Sequence, residues 1–374
     1  MSVFKEIEFK EHEQVVFCSD KKANLRAIIA IHNTTLGPAL GGTRMWMYDS
    51  DGDALKDALR LSRGMTYKAA VAGLNLGGGK AVMIGDPNKD KNEALFRTYG
   101  RFIEGLAGRY ITAEDVGTSV SDMEWVRMET KYVTGIDRAL GGGGDPSPVT
   151  AFGIYHGMKA AMKELTGSES LKGKTIAVQG AGHVAGYVCD HLAKEHAKIV
   201  LTDLFEEKAK AVAERTKARY IPPDKIYDEE ADVFCPCALG AVLNDDTIPR
   251  LKVKIIAGGA NNQLADEAKH GQMLIKRGIA YAPDYAINAG GLISVANELE
   301  GYARDRAMKQ AEGIYDTIRR IFAISRQENI PTYEASNRLA EERIAQLGRI
   351  RNLYAGKSEL VGRLGDRDHS NSSH

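Results

Sequence analysis

The residues of this sequence best suited to acid–base chemistry are two lysines and an aspartate. Lys68 ends an apolar pattern with helical spacing (Leu61, Met65, Lys68), Lys80 directly follows three glycines, and Asp115 ends a strand-like run. If both ammonium groups share one cleft, burial and mutual repulsion let one lysine lose its proton near neutral pH and act as a general base. The other lysine can bind a substrate carboxylate, and Asp115 can exchange protons with the reacting group. Two alternatives stay open: Lys68 reaches solvent from its helix end, and Asp115 forms only a structural ion pair.

A glycine-rich turn further along the chain has the chemistry of a dinucleotide phosphate site. Its residues are Gly180, Ala181, Gly182, His183, Val184, Ala185 and Gly186. The glycines permit a tight turn and a close approach of the backbone to a pyrophosphate, and the following helix offers its unpaired N–H groups. Asp203 ends the next strand-like run, where a Rossmann unit places the acidic residue that binds the ribose. Its charge repels a 2′-phosphate, so the pattern favours NAD over NADP.

The glycine-rich turn lies in a region that predicts a parallel sheet. From position 174 onward, short runs rich in β-branched residues alternate with segments of helical periodicity. This alternation is typical of a doubly wound, Rossmann-type α/β domain with helices on both faces of the sheet. The predicted strands are 174–179, 197–203, 231–235, 253–257 and 279–282.

The two lysines and Asp115 lie in a region with a different order of elements. The sequence there predicts one long helix at about 51–70, and strands at 15–19, 25–33, 81–84 and 110–114. These elements indicate a separate α/β domain for the substrate.

Glycine and proline in the segment 141–148 break both periodicities and predict a hinge between the two domains. We therefore expect residues 1–135, with about 332–374, to form a domain for substrate binding, catalysis and oligomerisation. Residues 136–331 are expected to form the NAD-binding domain, with a cleft between the two, and the polar tail 365–374 is expected to fray.

Composition excludes several classes of protein. The chain has 374 residues, 43% apolar and 27% charged, and its 50 basic residues balance 50 acidic ones. This balance gives no electrostatic case for binding nucleic acid or an anionic membrane, and no apolar run has the length of a membrane span. The N-terminus is charged too early for a signal peptide, so we expect a cytoplasmic protein. The four cysteines and nine histidines lack metal-ligand spacing, so we expect no metal site and no disulfide framework.

Eight ordered motifs make the sequence similar to the Glu/Leu/Phe/Val amino-acid dehydrogenase family over about residues 10–350. The resemblance implies NAD-dependent, reversible oxidative deamination of an L-amino acid to a 2-oxo acid, ammonia and NADH. It also implies a homo-oligomer, with an octamer as the expected assembly. The motifs are GPALGGTRM (37–45), MTYK (65–68), GGGKA (77–81), TAEDVG (112–117), PSPVT (146–150), PCALG (236–240), GANN (259–262) and NAGG (288–291).

The resemblance also implies roles for individual residues. Lys80 is implied to be the catalytic base that activates the water attacking the imine, Lys68 to bind the substrate carboxylate, and Asp115 to exchange protons with the amine. The other residues expected at the substrate are Leu40, Gly41, Gly42, Met65, Ala113, Leu292 and Val295. The residues expected at the cofactor, besides the 180–186 turn and Asp203, are Thr150, Ala238 and Asn262.

Two of these positions indicate which amino acid is the substrate. Glutamate-specific members of the family carry a lysine where this chain has Leu40, and a substrate carboxylate buried unpaired against leucine is strongly disfavoured. Phenylalanine-preferring members tend to have glycine in place of Ala113. The added methyl group favours L-leucine and other branched-chain amino acids, although such a difference is worth only roughly 1–3 kcal/mol. Phenylalanine therefore stays open as an alternative substrate.

A non-catalytic NAD-binding sensor is the alternative from another functional class. It predicts the loss of Lys68, Lys80 or Asp115, and the sequence has all three. The chain departs from the family pattern at three other positions, which carry no catalytic group: Asp145, His183 and Asn297.

Overall fold

The structure is a computed structural model that describes residues 3–6 and 8–350, so the tail 365–374 lies outside the described residues. The chain divides into two compact units. The described part of the first unit runs to Gly144 and includes 295–303 and 340–350, and the second unit comprises 145–294 and 304–339. The division at Gly144 falls within the segment whose glycines and prolines predicted a hinge.

A six-stranded mixed sheet forms the framework of the first unit. Its strands are β1 (Gln14–Asp20), β2 (Leu25–Asn33), β3 (Ala39–Leu40), β4 (Thr43–Trp46), β5 (Gly77–Ile84) and β6 (Tyr110–Ile111). They follow the order β1–β2–β5–β3–β6, with β4 also paired to β5. The strands β1, β2 and β5 pair antiparallel, whereas β3 and β4 run parallel to β5. The strand that carries Lys80 is therefore central in this sheet.

The long helix α1 (Asp51–Val71) packs on this sheet. Ser50 caps its N-terminus by accepting a hydrogen bond from the Asp53 amide, and two aspartates in the first turn complement the helix dipole. Its alanine and leucine side chains pack against Ala30 of β2 and Val82 of β5. The predicted stripe of Leu61, Met65 and Lys68 is half-buried and is not the core face of the helix, because the smaller residues fit closer to the sheet. Two shorter helices complete this part: α2 (Glu93–Glu104) and α3 (Val120–Arg127).

The second unit is a doubly wound parallel sheet. Its strands are β7 (Thr175–Gln179), β8 (Lys198–Thr202), β9 (Arg219–Tyr220), β10 (Val233–Pro236), β11 (Ile255–Ile256) and β12 (Ala280–Tyr281). They lie in the order β9–β8–β7–β10–β11–β12, so chain order reverses direction between β7 and β10. This is the strand order of a Rossmann fold, whose ligands bind at that switch point. The predicted fold class is confirmed.

The helices from Ser147 onward connect the parallel strands or follow them to the end of the described chain. They are α4 (Ser147–Thr166), α5 (His183–Lys194), α6 (Glu206–Thr216), α7 (Glu267–Lys276), α8 (Asp284–Ile287), α9 (Gly290–Glu298), α10 (Arg304–Glu312), α11 (Ile314–Glu328) and α12 (Thr332–Ile350). None of the helices in the described part of the chain is long and apolar enough to cross a bilayer.

Arg343, on α12, forms hydrogen bonds to the segment that follows the C-terminal end of α1. Its guanidinium donates hydrogen bonds to the carbonyl oxygens of Leu74 (2.6 Å) and Gly73 (3.1 Å) and to the side-chain oxygen of Asn75 (3.0 Å). These contacts hold the backbone that directly follows the helix, since α1 ends at Val71. The connection between α1 and β5 is thus held by a residue near the end of the described chain.

Two histidines are buried together between α1 and the sheet. His12 Nε2 lies 2.8 Å from Ser62 Oγ, His32 Nδ1 lies 2.8 Å from Thr66 Oγ1, and the two rings meet edge to face at 4.7 Å. Burial, the neighbouring His12 and the charge of Arg63 lower the pKa of His32 to about 4. Burial likewise lowers the pKa of His12. Both rings therefore stay neutral in the folded protein at neutral pH.

This pair predicts a loss of stability in mild acid. An unfolded histidine takes up a proton near pH 6.5, whereas folded His32 resists protonation until about pH 4, so the stabilisation is complete above pH 6.5 and is lost as the pH falls toward 4. We expect the unfolding free energy to fall by about 2 kcal/mol between pH 7 and pH 5 through His32. Urea unfolding at pH 7 and pH 5 measures this change in unfolding free energy. The change should be smaller in His32→Asn. An unchanged difference in that variant would contradict the assignment.

Candidate active site

Lys80 lies in the middle of β5, on the face of the sheet that α1 covers. Gly78, Lys80 and Val82 alternate onto this face, as the two-residue period of a strand requires. Its side chain is almost fully buried, with only 5% of the residue exposed. The predicted strand 81–84 begins earlier than expected, because the structure places Gly77–Gly79 inside the strand. They are needed because a Cβ on Gly78 would stand 2.0 Å from the Thr66 amide nitrogen of α1.

The predicted substrate glycines bring the neighbouring backbones close to this strand. A Cβ on Gly41 would lie 1.7 Å from the carbonyl oxygen of Gly79, and one on Gly42 would lie 2.9 Å from the Cβ of Asp115. No side chain fits at either position. The two glycines therefore allow Lys80 and Asp115 to approach each other.

Asp115 is held by a short turn after β6. The predicted strand 110–114 ends early, at Ile111, and an isolated bridge pairs Glu114 with Thr43. The Asp115 amide donates a hydrogen bond to Thr118 Oγ1 (2.9 Å), and Thr118 Oγ1 donates one to the Thr43 carbonyl (2.8 Å). The turn is thereby tied to β4, which fixes the carboxylate at the edge of the sheet.

The carboxylate of Asp115 contacts two cations. Lys80 Nζ lies 2.8 Å from Asp115 Oδ2, and Arg44 Nε lies 3.1 Å from the same oxygen. Burial is the main cause that lowers the pKa of Lys80; the ion pair with Asp115 opposes this effect and the charge of Arg44 reinforces it. Burial alone would raise the pKa of Asp115, but Lys80 and Arg44 outweigh it and hold that pKa below its ordinary value. The site therefore keeps an ionised carboxylate beside a lysine that loses its proton more readily than an exposed lysine does.

Sequence reasoning missed three residues of this cluster. Arg44 was quoted in a motif without a role, and Asp57 and Tyr48 were not considered. Arg44 Nη1 donates to Asp57 Oδ2 (2.9 Å), and Tyr48 Oη donates to the same oxygen (2.7 Å). Arg44 is thus a cation that reinforces the lowered pKa of Lys80, and the predicted repulsion between Lys68 and Lys80 stays a prediction. An available signal was that Arg44 follows the two glycines of the 37–45 motif.

The other predicted substrate residues fall in several elements. Lys68 and Met65 are half-buried on the last turns of α1. Leu40 lies on β3 between Gly78 and Ile111 and is 1% exposed, and Ala113 is 7% exposed. Leu292 and Val295 both lie on α9, the first buried and the second half-buried.

The glycine-rich turn of the second unit joins β7 to α5 as predicted. Gly180 adopts a left-handed backbone conformation with φ of 108°, which favours glycine. Gly182 caps α5 without a side-chain hydrogen bond, and no atom lies within 4 Å of the position where its Cβ would be. No side chain therefore caps the N-terminus of α5, where unpaired N–H groups can bind a phosphate. Ala185 and Gly186 are buried, and His183 is exposed with its Nδ1 3.8 Å from Asp145 Oδ2.

A cavity of 550 Å³ opens beside this turn, at the switch point of the sheet. Gly180, Gly182, Asp203 and Ala238 line it, together with the exposed apolar side chains of Leu204 and Leu239. A cavity of this size, with apolar walls and with Asp203 beside the glycine-rich turn, fits the adenosine half of a dinucleotide. Cys237 also lines the cavity and is half-buried.

Asp203 has a structural contact besides its position in this cavity. Its carboxylate oxygens accept hydrogen bonds from the Ala181 amide (2.7 Å) and the Phe205 amide (2.8 Å). The residue therefore ties the end of β8 to the glycine-rich turn. In the described part of the chain, no group of three or more histidine, cysteine, aspartate or glutamate side chains is arranged to hold a metal ion.

Family models match the chain over nearly all of its described length. The model for the Glu/Leu/Phe/Val dehydrogenase dimerisation domain matches residues 12–132, and the model for glutamate/leucine/phenylalanine/valine dehydrogenase matches 141–203 and 201–350. The chain belongs to the Glu/Leu/Phe/Val dehydrogenase family. The resemblance of the eight motifs is thereby confirmed.

Individual members of the dehydrogenase family are similar over the whole fold. A leucine dehydrogenase of Geobacillus stearothermophilus is 60% identical over 354 residues, and one of Thermoactinomyces intermedius is 59% identical. Each match covers 95% of this chain and 96% of the relative. The crystal structure of L-tryptophan dehydrogenase from Nostoc punctiforme superposes with a TM-score of 0.83 at 48% identity, and the match covers 91% of this chain and 97% of that one.

The remaining cofactor positions that we expected from the family lie in the second unit. Thr150 is buried on the first turn of α4, where its hydroxyl donates to the Pro146 carbonyl (3.0 Å). Asn262 is exposed in a turn after β11, with a left-handed φ of 51°. Ala238 borders Gly180, whose Cβ would stand 3.1 Å from that of Ala238. The structure thus brings Ala238 to the glycine-rich turn and places Thr150 and Asn262 on neighbouring elements of the same unit.

Proposed function

We propose that the protein is an NAD-dependent leucine dehydrogenase that oxidatively deaminates L-leucine and other branched-chain L-amino acids in a reversible reaction. The observation that carries this proposal is the buried cluster in which Lys80 and Arg44 share one oxygen of Asp115. A lysine that loses its proton readily, beside a fixed carboxylate, is suited to proton transfer at a carbon–nitrogen bond. The 59–60% identity to leucine dehydrogenases supports the choice of reaction.

The residues of the second unit fit a dinucleotide. The open N-terminus of α5 can receive the pyrophosphate, and Asp203 can accept hydrogen bonds from a ribose diol. We assign Thr150 and Asn262 to the carboxamide end and Ala238 to its ribose. NAD, when bound, accepts the hydride that leaves the substrate Cα.

We assign substrate binding and the proton transfers to three residues of the first unit. We assign Lys68 to the substrate carboxylate, because it is the second lysine of the first unit in the family's motifs and is half-buried on the last turns of α1. Asp115 takes a proton from the substrate ammonium group, since the reaction needs a neutral amine. Lys80 then acts as general base for the water that attacks the imine, and proton return from Lys80 and Asp115 releases ammonia and the 2-oxo acid.

We propose that the enzyme selects the substrate side chain with an apolar pocket. We propose that Leu40, Met65, Ala113, Leu292 and Val295 surround the substrate side chain, with the backbone of Gly41 and Gly42 beside them. A second carboxylate has no proposed cationic partner in this set, which disfavours glutamate. The similar L-tryptophan dehydrogenase makes an aromatic substrate the second candidate.

The first test is NADH absorbance during incubation of the purified protein with NAD and one amino acid at mildly alkaline pH. L-leucine, L-valine, L-phenylalanine, L-tryptophan and L-glutamate are compared. Turnover of the two branched aliphatics well above the others supports the proposal. Preference for an aromatic substrate would keep the reaction and overturn the pocket assignment. Binding of NAD without turnover of any of the five would indicate a sensor.

The assignment of Asp203 predicts a change in cofactor preference. In Asp203→Ser we expect the KM for NAD to rise about tenfold or more, because a charged acceptor for the ribose is lost, and the KM for NADP to fall. The serine also loses a contact to the Ala181 amide, so Asp203→Asn is the matched control that keeps an acceptor there. Initial rates measured with NAD and with NADP give the ratio of the two KM values. An unchanged NAD to NADP ratio in both variants would refute the role.

We also propose a homo-oligomer, with an octamer as the assembly that the family implies. The N-terminal match is to a dimerisation domain, and β1 is an edge strand with the exposed side chain of Phe17. Light scattering of the purified protein measures the mass. A monomer would overturn this part of the proposal.

A further inference from the structure

Arg44 lies between two carboxylates in the first unit. Its Nε contacts Asp115 Oδ2 (3.1 Å), and its Nη1 contacts Asp57 Oδ2 (2.9 Å). The side chain is 23% exposed, so neither contact is a loose surface pair. The planar guanidinium can address two carboxylates at once in fixed directions, which a lysine ammonium group on a flexible stem cannot do.

Asp57 is itself held from two further sides. Tyr48 Oη donates to Asp57 Oδ2 (2.7 Å), and Arg60 Nη2 donates to Asp57 Oδ1 (3.1 Å). Burial and the hydrogen bond to Asp57 raise the pKa of Tyr48, so its hydroxyl stays a donor. Because Asp57 and Arg60 lie on α1 and Arg44 lies on β4, this chain of contacts ties helix and sheet together at the site.

Both recorded cation contacts of Asp115 meet at the same oxygen. Lys80 Nζ is 2.8 Å from Oδ2 and Arg44 Nε is 3.1 Å from it. We propose that Arg44, bridged to Asp57, is a positioning residue that orients Asp115 with Oδ1 toward the substrate and holds a fixed positive charge beside Lys80. This inference rests on the proposed function, since it concerns the same proton transfers.

The electrostatics of the cluster agree with this role. Without Arg44, deprotonation of Lys80 would leave the buried carboxylate of Asp115 with no cation beside it. Asp115 would then take up the proton itself. Arg44 remains charged at every accessible pH, so it keeps Asp115 ionised through this step. The groups that face Lys80 are Asp115, Arg44 and, at longer range, Asp57. Of these only Arg44 favours the neutral lysine.

The test compares Arg44→Met, Arg44→Lys and Asp57→Asn with the wild-type protein. The pH dependence of kcat/KM for L-leucine is measured, and so is the rate at which acetic anhydride labels Lys80, read by peptide mass spectrometry at pH 8. In Arg44→Met we expect about tenfold slower labelling and a shift of the activity profile to higher pH, because the repelling charge is gone. We expect kcat to fall about tenfold or more as Asp115 loses its orientation.

The other two variants separate charge from orientation. Arg44→Lys keeps the charge without the bridge, so we expect labelling near the wild-type rate but a kcat about tenfold lower. Asp57→Asn leaves Arg44 charged and loosens its anchor, so kcat should fall while the labelling of Lys80 does not slow. These two variants also carry the test if Arg44→Met fails to fold.

Two results would overturn the inference. The first is an Arg44→Met protein with wild-type labelling and pH profile, and the second is a wild-type kcat in both Arg44→Lys and Asp57→Asn. A purely structural role would move thermal stability but not the pH profile. If the wild-type protein turns over none of the amino acids, the proposed function fails, whereas the labelling of Lys80 still tests the effect of Arg44.

Discussion

Replacing Lys80 by alanine is expected to lower kcat for L-leucine by at least about 10²-fold while leaving the dissociation constant for NAD unchanged. General base catalysis contributes roughly 10²–10⁴-fold, and no other neutral amine is assigned to activate the water. The variant should fold, because Arg44 still neutralises Asp115 after the ion pair to Lys80 is lost. Steady-state kinetics and NAD titration by fluorescence measure the two quantities.

The matched control is Lys91→Ala. Lys91 forms a similar partly buried ion pair, 2.6 Å from Asp122 Oδ2, but it lies outside the proposed site. Its loss should lower stability slightly and leave kcat near the wild-type value. Near-normal turnover by Lys80→Ala would remove Lys80 from the mechanism. A comparable fall in both variants would mean that the loss comes from the fold and not from the base.

Adding a single methyl group at Gly78 is expected to reduce both stability and activity. The new Cβ would stand 2.0 Å from the Thr66 amide nitrogen and 2.2 Å from its Oγ1, and a backbone contact of this kind cannot be relieved by a side-chain rotation. Helix α1 must then move away from β5, which we expect to cost about 3 kcal/mol in unfolding free energy. Because α1 carries Lys68 and β5 carries Lys80, kcat/KM should fall about 10²-fold.

Gly64→Ala is the control for this prediction. Gly64 lies in the same helix, is exposed, and has no atom within 4 Å of the position of a Cβ. Removing an interior helical glycine should stabilise the protein by about 0.5–1 kcal/mol and leave the kinetics unchanged. Thermal unfolding and leucine kinetics are measured on both variants. Equal behaviour of Gly78→Ala and Gly64→Ala would show that α1 is not held at Gly78.

The elements with strong periodicity could be predicted from the sequence. The predicted strand 25–33 matches β2 residue for residue, and the helix at about 51–70 matches α1 to within one residue. The Rossmann strand order could be expected as a class because glycine turn, helix and terminal aspartate occur in the right succession. These features depend on local patterns that a single sequence contains.

Features that depend on close approach between distant segments could not be predicted. The glycines before Lys80 resemble a turn until Thr66 is placed against them, and only then does a glycine-rich strand become the better interpretation. Arg44 and Asp57 likewise look like ordinary charged residues, because their contact at 2.9 Å exists only once β4 packs beside α1.

The contact of Arg343 with the end of α1 bears on how the protein is made. During synthesis Lys68, Lys80 and Asp115 leave the ribosome long before Arg343, whose guanidinium holds the carbonyls of Gly73 and Leu74. The connection from α1 to β5 therefore lacks these hydrogen bonds until residue 343 has been made. A chain cut before residue 343 would contain every proposed catalytic group without the contact that holds the segment between Lys68 and Lys80.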